Sequence, residues 1–411
     1  MSATSPIRTR VLAACTIGNV VGKTAAVHSV FGLFLVPLSQ SFGWPRASIS
    51  MVLGIMALTG AIVYPLAGRW ADRHGARKML ILGNLAFGTA IMALSFTNGS
   101  LALFYGTFFL VSLAGSIAST PIYSKVVADW FSEGRGTALG ISAGVGSGVG
   151  SVAIPVAAAL VVSAYGWRAG YVAVGAIVLV VGFPALWLWL RDAPRDAVRA
   201  GEVAGDGLSL GEAARQRSFW LILVAIASGA GCTTAIFSHV VPIVGEHGFG
   251  VATGTAVVSI FALVGSGWQI ATGRLLDRID NPRIVIPMYA MAIGGLALLE
   301  FGGSTAALML GGVLLGIGLG AQYGALPFFI ARYFGLRAFG AIIGVMYSAV
   351  IAAQGITPVL LDAVYDAQGS YRTAILVAGL LLATGAALLL LLPRYRSDAV
   401  RESGQLATGI A

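Results

Sequence analysis

The chain has 411 residues, of which 57% are hydrophobic and only 10% are Asp, Glu, Lys or Arg. A soluble protein carries roughly 25% charged residues and needs them to cover its surface. The composition therefore excludes a soluble enzyme and indicates a polytopic membrane protein, in agreement with a mean hydropathy of +0.89. The formal net charge of +9 fits basic cytoplasmic loops better than nucleic-acid binding.

Apolar runs long enough to cross a bilayer recur twelve times. A spanning helix needs about 20 apolar residues, and runs of this length favour helices over the short alternating strands of a barrel. The first run has no A-x-A cleavage site at its end and is predicted as an uncleaved span, not a signal peptide. The predicted spans are 11–38, 47–71, 79–97, 101–130, 136–164, 170–190, 219–244, 252–275, 284–302, 305–333, 339–364 and 373–392.

Positive charges assign the two sides of the membrane. With a cytoplasmic N-terminus, every lysine and arginine falls in or beside a cytoplasmic segment, except Arg46, Arg168 and Arg372 outside and Lys23 within span 1. The positive-inside rule then predicts that both termini are cytoplasmic and that the protein lies in the inner (plasma) membrane. The predicted organisation is an N-terminal six-helix bundle over 1–190, a cytoplasmic linker over 191–217, a C-terminal six-helix bundle over 218–393 and a cytoplasmic tail over 394–411.

The two halves share landmarks at a nearly constant spacing. The Gly-x-x-x-Asp-Arg segment at 68–73 recurs at 273–278, and the Gly-x-x-x-Gly segment at 136–140 recurs at 340–344. Because six spans separate each pair, both copies have the same orientation in the membrane. The pattern predicts a parallel duplication whose substrate path lies between the halves, near the bilayer midplane.

The segment 68–78, which reads GRWADRHGARK, resembles the signature loop of major facilitator superfamily transporters, and its degenerate copy lies at 273–283. The resemblance covers essentially the whole chain and implies an all-α membrane fold of twelve helices in two parallel six-helix repeats. A carboxylate among cations at a helix end can pair with those cations or cap a neighbouring helix N-terminus. We therefore predict a cytoplasmic gate, with topogenic charges and a simple turn as the alternative. The predicted gating residues are Gly68, Asp72, Arg73, Arg77, Gly273, Asp277 and Arg278.

Three further segments, 42–50, 129–140 and 331–340, resemble the monocarboxylate transporter group and its bacterial relatives, which include the oxalate/formate exchanger. The resemblance implies transport of a small organic anion, often with a proton. The chain departs from that group at its anion-binding positions. Gln269 replaces the usual arginine of span 8, and Val350 stands where the oxalate exchanger has a lysine in span 11.

Lys23 is the one cation predicted deep within a span. It lies about 18 Å of helix from Val11, at 1.5 Å per residue, which places it near the midplane. A buried charge there is costly and marks a functional site by default. Because no Asp or Glu lies deep in any predicted span, we predict that Lys23 attracts an anionic substrate. Structural pairing is the alternative.

Other polar residues within the spans complete the predicted site. His28 lies about 140° around an ideal helix from Lys23, so the two share a cavity only if the helix bends or the cavity is wide. Histidine titrates near neutrality, so we predict His28 as a substrate contact and proton carrier and His239 as a second proton site. Further candidates for neutral hydrogen bonds to the substrate are Asn19, Tyr123, Gln269, Gln322, Tyr323, Tyr347 and Gln354. Helix–helix packing is the alternative for each of them.

These features together predict a secondary active transporter, not an enzyme. We expect a monomer that imports a small organic anion, a monocarboxylate, together with protons by alternating access, with no cofactor and no metal. The first alternative is a proton-coupled exporter of drugs or lipophilic metabolites, which is disfavoured because no membrane-embedded carboxylate is evident. The second alternative is a membrane sensor that binds its ligand without transporting it.

Overall fold

A computed structural model describes residues 5–194 and 207–393, and the predicted tail 394–411 lies outside these ranges. The described part is almost entirely helical. Eleven helical segments are long and apolar enough to cross a membrane. One of them, Arg135–Trp189, has 55 residues and would reach roughly 80 Å as a single helix, far beyond a hydrocarbon core of about 30 Å. The helix breaks at Gly166, where φ is 81° and ψ is 174°. Two spans therefore lie in this segment, and the prediction of twelve is confirmed.

The helices follow the predicted order of spans. Span 1 comprises Ser5–Val20, the π-helix Thr24–His28 and Phe31–Phe42; span 2 is Arg46–His74; span 3 is Arg77–Ala93 with the 3-10 turn Leu94–Phe96; span 4 comprises Leu101–Ile117 and Thr120–Trp130. Spans 5 and 6 comprise Arg135–Gly140, the π-helix Ile141–Val145, Gly146–Ile177, the π-helix Val178–Gly182 and Phe183–Trp189. Span 7 is Arg217–Glu246, span 8 is Val251–Arg278, span 9 is Pro282–Val285 with Ile286–Phe301, span 10 is Thr305–Phe334, span 11 is Phe339–Gln368 and span 12 is Arg372–Leu390.

Spans 1–6, here called the N-bundle, and spans 7–12, the C-bundle, have separate apolar cores over much of their length. The C-bundle contains one continuous apolar cluster, which also includes Tyr64 and Ala128 of the N-bundle. The N-bundle has one cluster around Phe34 and Phe104 and a second around Tyr123 and Leu186. The apolar contact between bundles therefore involves the second halves of spans 2 and 4.

The two ends of the molecule differ in charge. The end at which the odd-numbered spans begin carries Arg77, Arg135, Arg278 and Arg332 and is here called the basic face; the other end is called the opposite face. Because the spans alternate in direction, spans 2 and 4 end at the basic face. The contacts of Tyr64 and Ala128 with the C-bundle thus lie toward this face.

The predicted linker 191–217 is described at both ends, and residues 195–206 lie outside the described ranges. Asp192 accepts hydrogen bonds from the backbone N–H groups of Ala76 and Arg77, at 2.8 and 3.0 Å, and so caps span 3. A short helix, Leu210–Ala214, begins with a capping box of Ser209 and Glu212. The backbone N–H of Ser209 lowers the pKa of the Glu212 carboxyl below its usual range.

Candidate functional site between the bundles

Asp72 joins the two bundles at the basic face. Its carboxylate accepts hydrogen bonds from the backbone N–H groups of Gly340 and Ala341, at 2.9 and 2.8 Å. These amides lie in the first turn of span 11, have no partner within their own helix and carry the positive end of its dipole. The same carboxylate pairs with Lys125 at 3.2 Å, and Lys125 pairs with Asp129 at 3.0 Å. Asp72 therefore caps a helix of the other bundle and is held by a buried cation.

Asp277 makes the corresponding contact in the opposite direction. It accepts hydrogen bonds from the backbone N–H groups of Gly136 and Thr137, both at 2.7 Å, at the start of span 5. The Thr137 hydroxyl donates a third hydrogen bond at 2.7 Å. Among the described residues no lysine or arginine forms an ion pair with Asp277, whereas Arg332 pairs with Asp280.

Glycines allow the backbones to approach at both contacts. A Cβ atom on Gly68 would collide with the backbone of Gly340, and a Cβ atom on Gly273 would collide with the backbone of Gly136. Next along span 5, a Cβ atom on Gly140 would lie 2.6 Å from the Gln269 carbonyl oxygen. The close approach of spans 5 and 8 therefore continues from the basic face toward the middle of the molecule.

The three arginines of the predicted gate lie at the same face but do not act alike. Arg77 donates hydrogen bonds to the carbonyl groups of Leu190 and Trp187, at 2.7 and 3.0 Å. Arg77 thus ties span 3 to the end of span 6 within the N-bundle and does not bridge the bundles. Arg73 and Arg278 are exposed in the last turns of spans 2 and 8.

Lys23 is buried inside the N-bundle, with 8% of its surface exposed. Its ammonium donates hydrogen bonds to the Met56 carbonyl at 3.3 Å, the Ser112 hydroxyl at 3.3 Å and the Ser116 hydroxyl at 3.2 Å. These acceptors are neutral, and among the described residues no carboxylate forms an ion pair with Lys23. The positive charge is hydrogen-bonded but not neutralised, which is costly at this depth.

Lys23 lies beside the interface between the two bundles where spans 2 and 11 meet, which is here called the cleft. A Cβ atom on Gly60 would be 3.5 Å from the Lys23 ammonium and 3.6 Å from Cδ1 of Ile351 on span 11. One turn from Gly60, the rings of Tyr64 and Tyr347 meet edge to face across the cleft with centroids 6.5 Å apart. The Lys23 ammonium lies 5.8 Å from the Tyr64 ring centroid.

The π-helix Thr24–His28 changes the expected direction of His28. The N–H of Ser29 bonds the Thr24 carbonyl at 2.9 Å, which is an i to i+5 hydrogen bond. A turn closed in this way brings residues five apart onto roughly the same side of the helix. The π-turn therefore reduces the separation of about 140° between Lys23 and His28 that an ideal α-helix would give. His28 is exposed, whereas Lys23 is buried.

Three polar residues of the C-bundle form a second cluster near the cleft, here called the amide cluster: Thr234, Tyr323 and Gln354. The Gln354 Nε2 donates a hydrogen bond to the Thr234 hydroxyl at 2.9 Å and also contacts the Tyr323 hydroxyl. All three side chains are half-buried. Gln354 lies one turn beyond Ile351 on span 11, so the amide cluster lies next to the point where span 11 approaches Lys23.

Two predicted substrate contacts in the N-bundle lie in its packed interior. Asn19 donates hydrogen bonds to the backbone and side chain of Ser142, at 3.0 and 3.2 Å, and accepts one from Thr120 at 2.7 Å. Asn19 thus connects spans 1, 4 and 5. Tyr123 is fully buried against Gly18, and its hydroxyl has no partner among the described residues.

The two glutamines predicted in spans 8 and 10 are also parts of helix contacts. Gln269 packs its backbone against Gly140 and Gly324. Gln322 is fully buried and accepts a hydrogen bond from the Thr233 hydroxyl at 3.3 Å. Of the seven neutral candidates, the structure places Tyr323, Tyr347 and Gln354 near the cleft, and it places Gln269 at the other contact between the bundles, where span 8 meets span 5.

His239 lies far from Lys23, toward the opposite face. Its Nε2 lies 2.8 Å from the carboxylate of Asp362 on span 11, and its Nδ1 lies 2.8 Å from the Ala235 carbonyl. The pair links spans 7 and 11 within the C-bundle. In the described ranges no group of three His, Cys, Asp or Glu residues could hold a metal ion.

Sequence reasoning missed several residues of this site. Lys125 was counted among the topogenic charges, although Asp129 four residues later signalled an ion pair on one helix face. Ser112 and Ser116 gave no signal, because a serine in an apolar helix usually bonds its own backbone. Tyr64 and Thr234 were not distinguished from packing residues.

Comparisons with known proteins agree with this architecture. Residues 24–299 match the family model described as Major Facilitator Superfamily. A crystal structure of the Major Facilitator Superfamily transporter FucP in the outward conformation superposes with a TM-score of 0.71, covering 92% of this chain and 96% of that chain, at 18% identity. The similarity to FucP establishes the fold alone.

Curated relatives are similar at low identity. The chain is 24% identical over 245 residues to the uncharacterized transporter YcxA of Bacillus subtilis, a match that covers 58% of this chain and 59% of that protein. It is 23% identical to Monocarboxylate transporter 11 of Homo sapiens, covering 88% of this chain and 78% of that protein. It is also 23% identical to a probable L-galactonate transporter of Escherichia coli, covering 85% and 82%. The matched family model, the twelve-span fold and the paired basic-face contacts show that the chain belongs to the Major Facilitator Superfamily of multi-pass membrane transporters.

Proposed function

We propose that the protein is a secondary active transporter of a small organic anion, a monocarboxylate in the simplest case. The observation that carries the proposal is Lys23, a buried cation with neutral partners beside the cleft between the bundles. An anion in the cleft would supply the missing negative charge. The names of two relatives, a monocarboxylate transporter and a probable L-galactonate transporter, support an anionic substrate.

The basic face is the cytoplasmic face in this proposal, because positive charges are retained on the cytoplasmic side. Both termini are then cytoplasmic, in the inner membrane of the cell. The contacts of Asp72 and Asp277 close the cytoplasmic side, so the structure corresponds to a state that is shut toward the cytoplasm. Transport requires these contacts to break and the opposite face to close, in alternating access between the two bundles.

Uptake into proteoliposomes tests the role of Lys23. Lys23→Gln keeps a hydrogen-bonding group near Ser112 and Ser116 but removes the charge. We expect the KM for carboxylates such as lactate to rise at least tenfold, or uptake to be lost. Lys78→Gln, at the exposed start of span 3, is the control and should behave as wild type. A wild-type KM in Lys23→Gln would refute the anion site.

Proton-coupled uptake with His28 as the proton carrier completes the proposal. His28 is exposed and lies one π-helical turn from Lys23 along span 1, so it can exchange protons while an anion is bound. Uptake should rise with an acidic exterior and collapse with a protonophore, and His28→Gln should remove the acid stimulation. His74→Gln, at the exposed end of span 2, is the control. Uptake that is unchanged by both the pH gradient and the protonophore would contradict proton symport.

A further inference from the structure

The amide cluster has a specific set of unused hydrogen-bonding groups. The Gln354 amide nitrogen is engaged by Thr234 and Tyr323, whereas its carbonyl Oε1 accepts no hydrogen bond from any described residue. The hydroxyls of Thr234 and Tyr323 contact this nitrogen and donate no hydrogen bond to another described residue. The cluster therefore offers one acceptor and two hydroxyl donors, with no charge.

This set of groups distinguishes between ligand chemistries. A carboxylate can accept hydrogen bonds from the two hydroxyls, but it has no donor for the Gln354 carbonyl oxygen and would leave that acceptor unpaired. An alkyl chain would cover the three polar groups without replacing their bonds to water, which costs free energy for each group. A hydroxyl group both donates and accepts, so it can bond the Gln354 oxygen and accept from Thr234 or Tyr323.

The cluster and Lys23 belong to opposite bundles but face one region. The position that a Cβ atom on Gly60 would occupy lies 3.5 Å from the Lys23 ammonium and 3.6 Å from Cδ1 of Ile351. Ile351 is one turn before Gln354 on span 11. The cleft thus has a cation on its N-bundle side and a neutral donor–acceptor group on its C-bundle side. A ligand that joins both must be anionic at one end and hydroxylated at the other.

We propose that the amide cluster binds a hydroxyl group of the substrate, and that the substrate is therefore a small hydroxylated carboxylate and not an alkyl acid. The inference rests on the proposed function, because it assumes that Lys23 attracts the anionic end. The N-bundle recognises charge and the C-bundle recognises hydroxyl groups. Binding both ends then favours closure of the cleft around the ligand.

Binding of matched acids to the purified full-length chain tests this inference. D-gluconate is compared with hexanoate, and lactate with propionate, by thermal shift and by competition for uptake. A site that bonds a ligand hydroxyl discriminates against the analogue that lacks it. We expect each hydroxylated acid to bind at least tenfold more tightly than its alkyl partner.

Substitutions in the amide cluster test whether this cluster is the source of the preference for the hydroxylated acid. Gln354→Leu and Thr234→Val should reduce the preference for the hydroxylated acid to less than threefold, with little change in the affinity for the alkyl acid. The controls are Thr357→Val, whose hydroxyl bonds only its own helix at Ala353 among the described residues, and Tyr333→Phe, whose hydroxyl bonds the Pro393 carbonyl near the basic face. Both controls should keep the full preference.

The outcomes separate this inference from the proposed function. Equal binding of both acids of each pair, with loss of binding in Lys23→Gln, would overturn the hydroxyl site and leave the anion transporter standing. A hydroxyl preference that survives in Gln354→Leu and Thr234→Val would also overturn it. Absence of binding or uptake for every acid in the wild type would contradict both proposals.

Discussion

Asp72 and Asp277 make the same backbone contact in different electrostatic surroundings. Both carboxylates cap two amides in the first turn of a helix in the other bundle. Asp72 is buried against Lys125 and Asp129, whereas Asp277 is exposed and bonded to the Thr137 hydroxyl. The corresponding end of span 10 carries mostly apolar side chains, and its cation Arg332 pairs with Asp280. The two halves share the helix cap but differ in the side chains that bind the capping carboxylate. The cap is therefore the shared requirement of the fold, and the buried cation is specific to the first contact.

Removal of the buried cation should have the largest effect. Lys125→Met leaves Asp72 and Asp129 buried without their cation, and breaking one partner of a buried ion pair costs about 3–5 kcal/mol. Thermal unfolding of the purified protein measures the loss. Arg332→Met is the matched control, because its exposed pair is worth about 1 kcal/mol or less. Equal losses in the two variants would remove the distinction between the contacts.

Neutralising Asp72 should open the basic face. Asp72→Asn replaces charged hydrogen bonds worth about 1.5–3 kcal/mol, so the closed state should lose roughly ten- to hundredfold in population relative to the open state. Maleimide labelling of Ala128→Cys, buried at the interface, reports the opening in a chain whose own Cys15 and Cys232 are replaced. Uptake should fall at least tenfold with expression unchanged. Wild-type uptake in Asp72→Asn would end the gating role.

Neutralising Asp277 should also open the basic face, but to a smaller extent than neutralising Asp72. Asp277→Asn removes an equivalent cap but takes no ion-pair partner from a buried cation, whereas Asp72→Asn removes one of the two carboxylates that pair with Lys125. We therefore expect an opening of about tenfold, the lower end of the range for charged hydrogen bonds. The same labelling of Ala128→Cys gives a direct ratio of the two effects. A larger opening in Asp277→Asn than in Asp72→Asn would show that the buried ions do not strengthen the first contact.

Loss of the Thr137 hydroxyl should have the smallest effect. Thr137→Val removes one hydrogen bond to Asp277 and leaves both backbone amides in place, which corresponds to a shift of about threefold for a bond near 0.7 kcal/mol. Thr137→Ser keeps the hydroxyl and should match wild type in the labelling assay. An effect as large as that of Asp277→Asn would mean that the hydroxyl, and not the helix cap, holds the contact.

Sequence patterns predicted the architecture because hydropathy, charge and repeat act over whole spans. The apolar runs predicted twelve spans, and the charge asymmetry and the landmarks at 68–73 and 273–278 predicted their arrangement in two halves. The partners of Asp72 were not predictable at this level, because Gly340 and Ala341 lie in the other bundle and contribute backbone groups that any residue has.

The candidate site was predicted less completely, for local reasons. Helix rise predicted that Lys23 lies near the membrane midplane, which stays a prediction, and the structure shows that its side chain is buried within the N-bundle. The direction of His28 did not follow, because a single i to i+5 turn has no reliable sequence signature and rotates everything beyond it. Asn19 and Gln322 resembled ligand-binding residues in sequence, since a polar side chain in an apolar helix looks the same whether it faces a cleft or a neighbouring helix.

The glycine contacts at the basic face have a practical consequence for trapping conformations. Backbones touch there so closely that a methyl group on Gly68 or Gly273 has no room while the face is closed. Once the bundles separate at this face, the same methyl group meets no such obstacle. A Gly→Ala substitution at either position thus penalises one half of the transport cycle selectively. It offers a way to hold the chain in the state that the present structure does not show, for crystallisation or for raising state-specific binders.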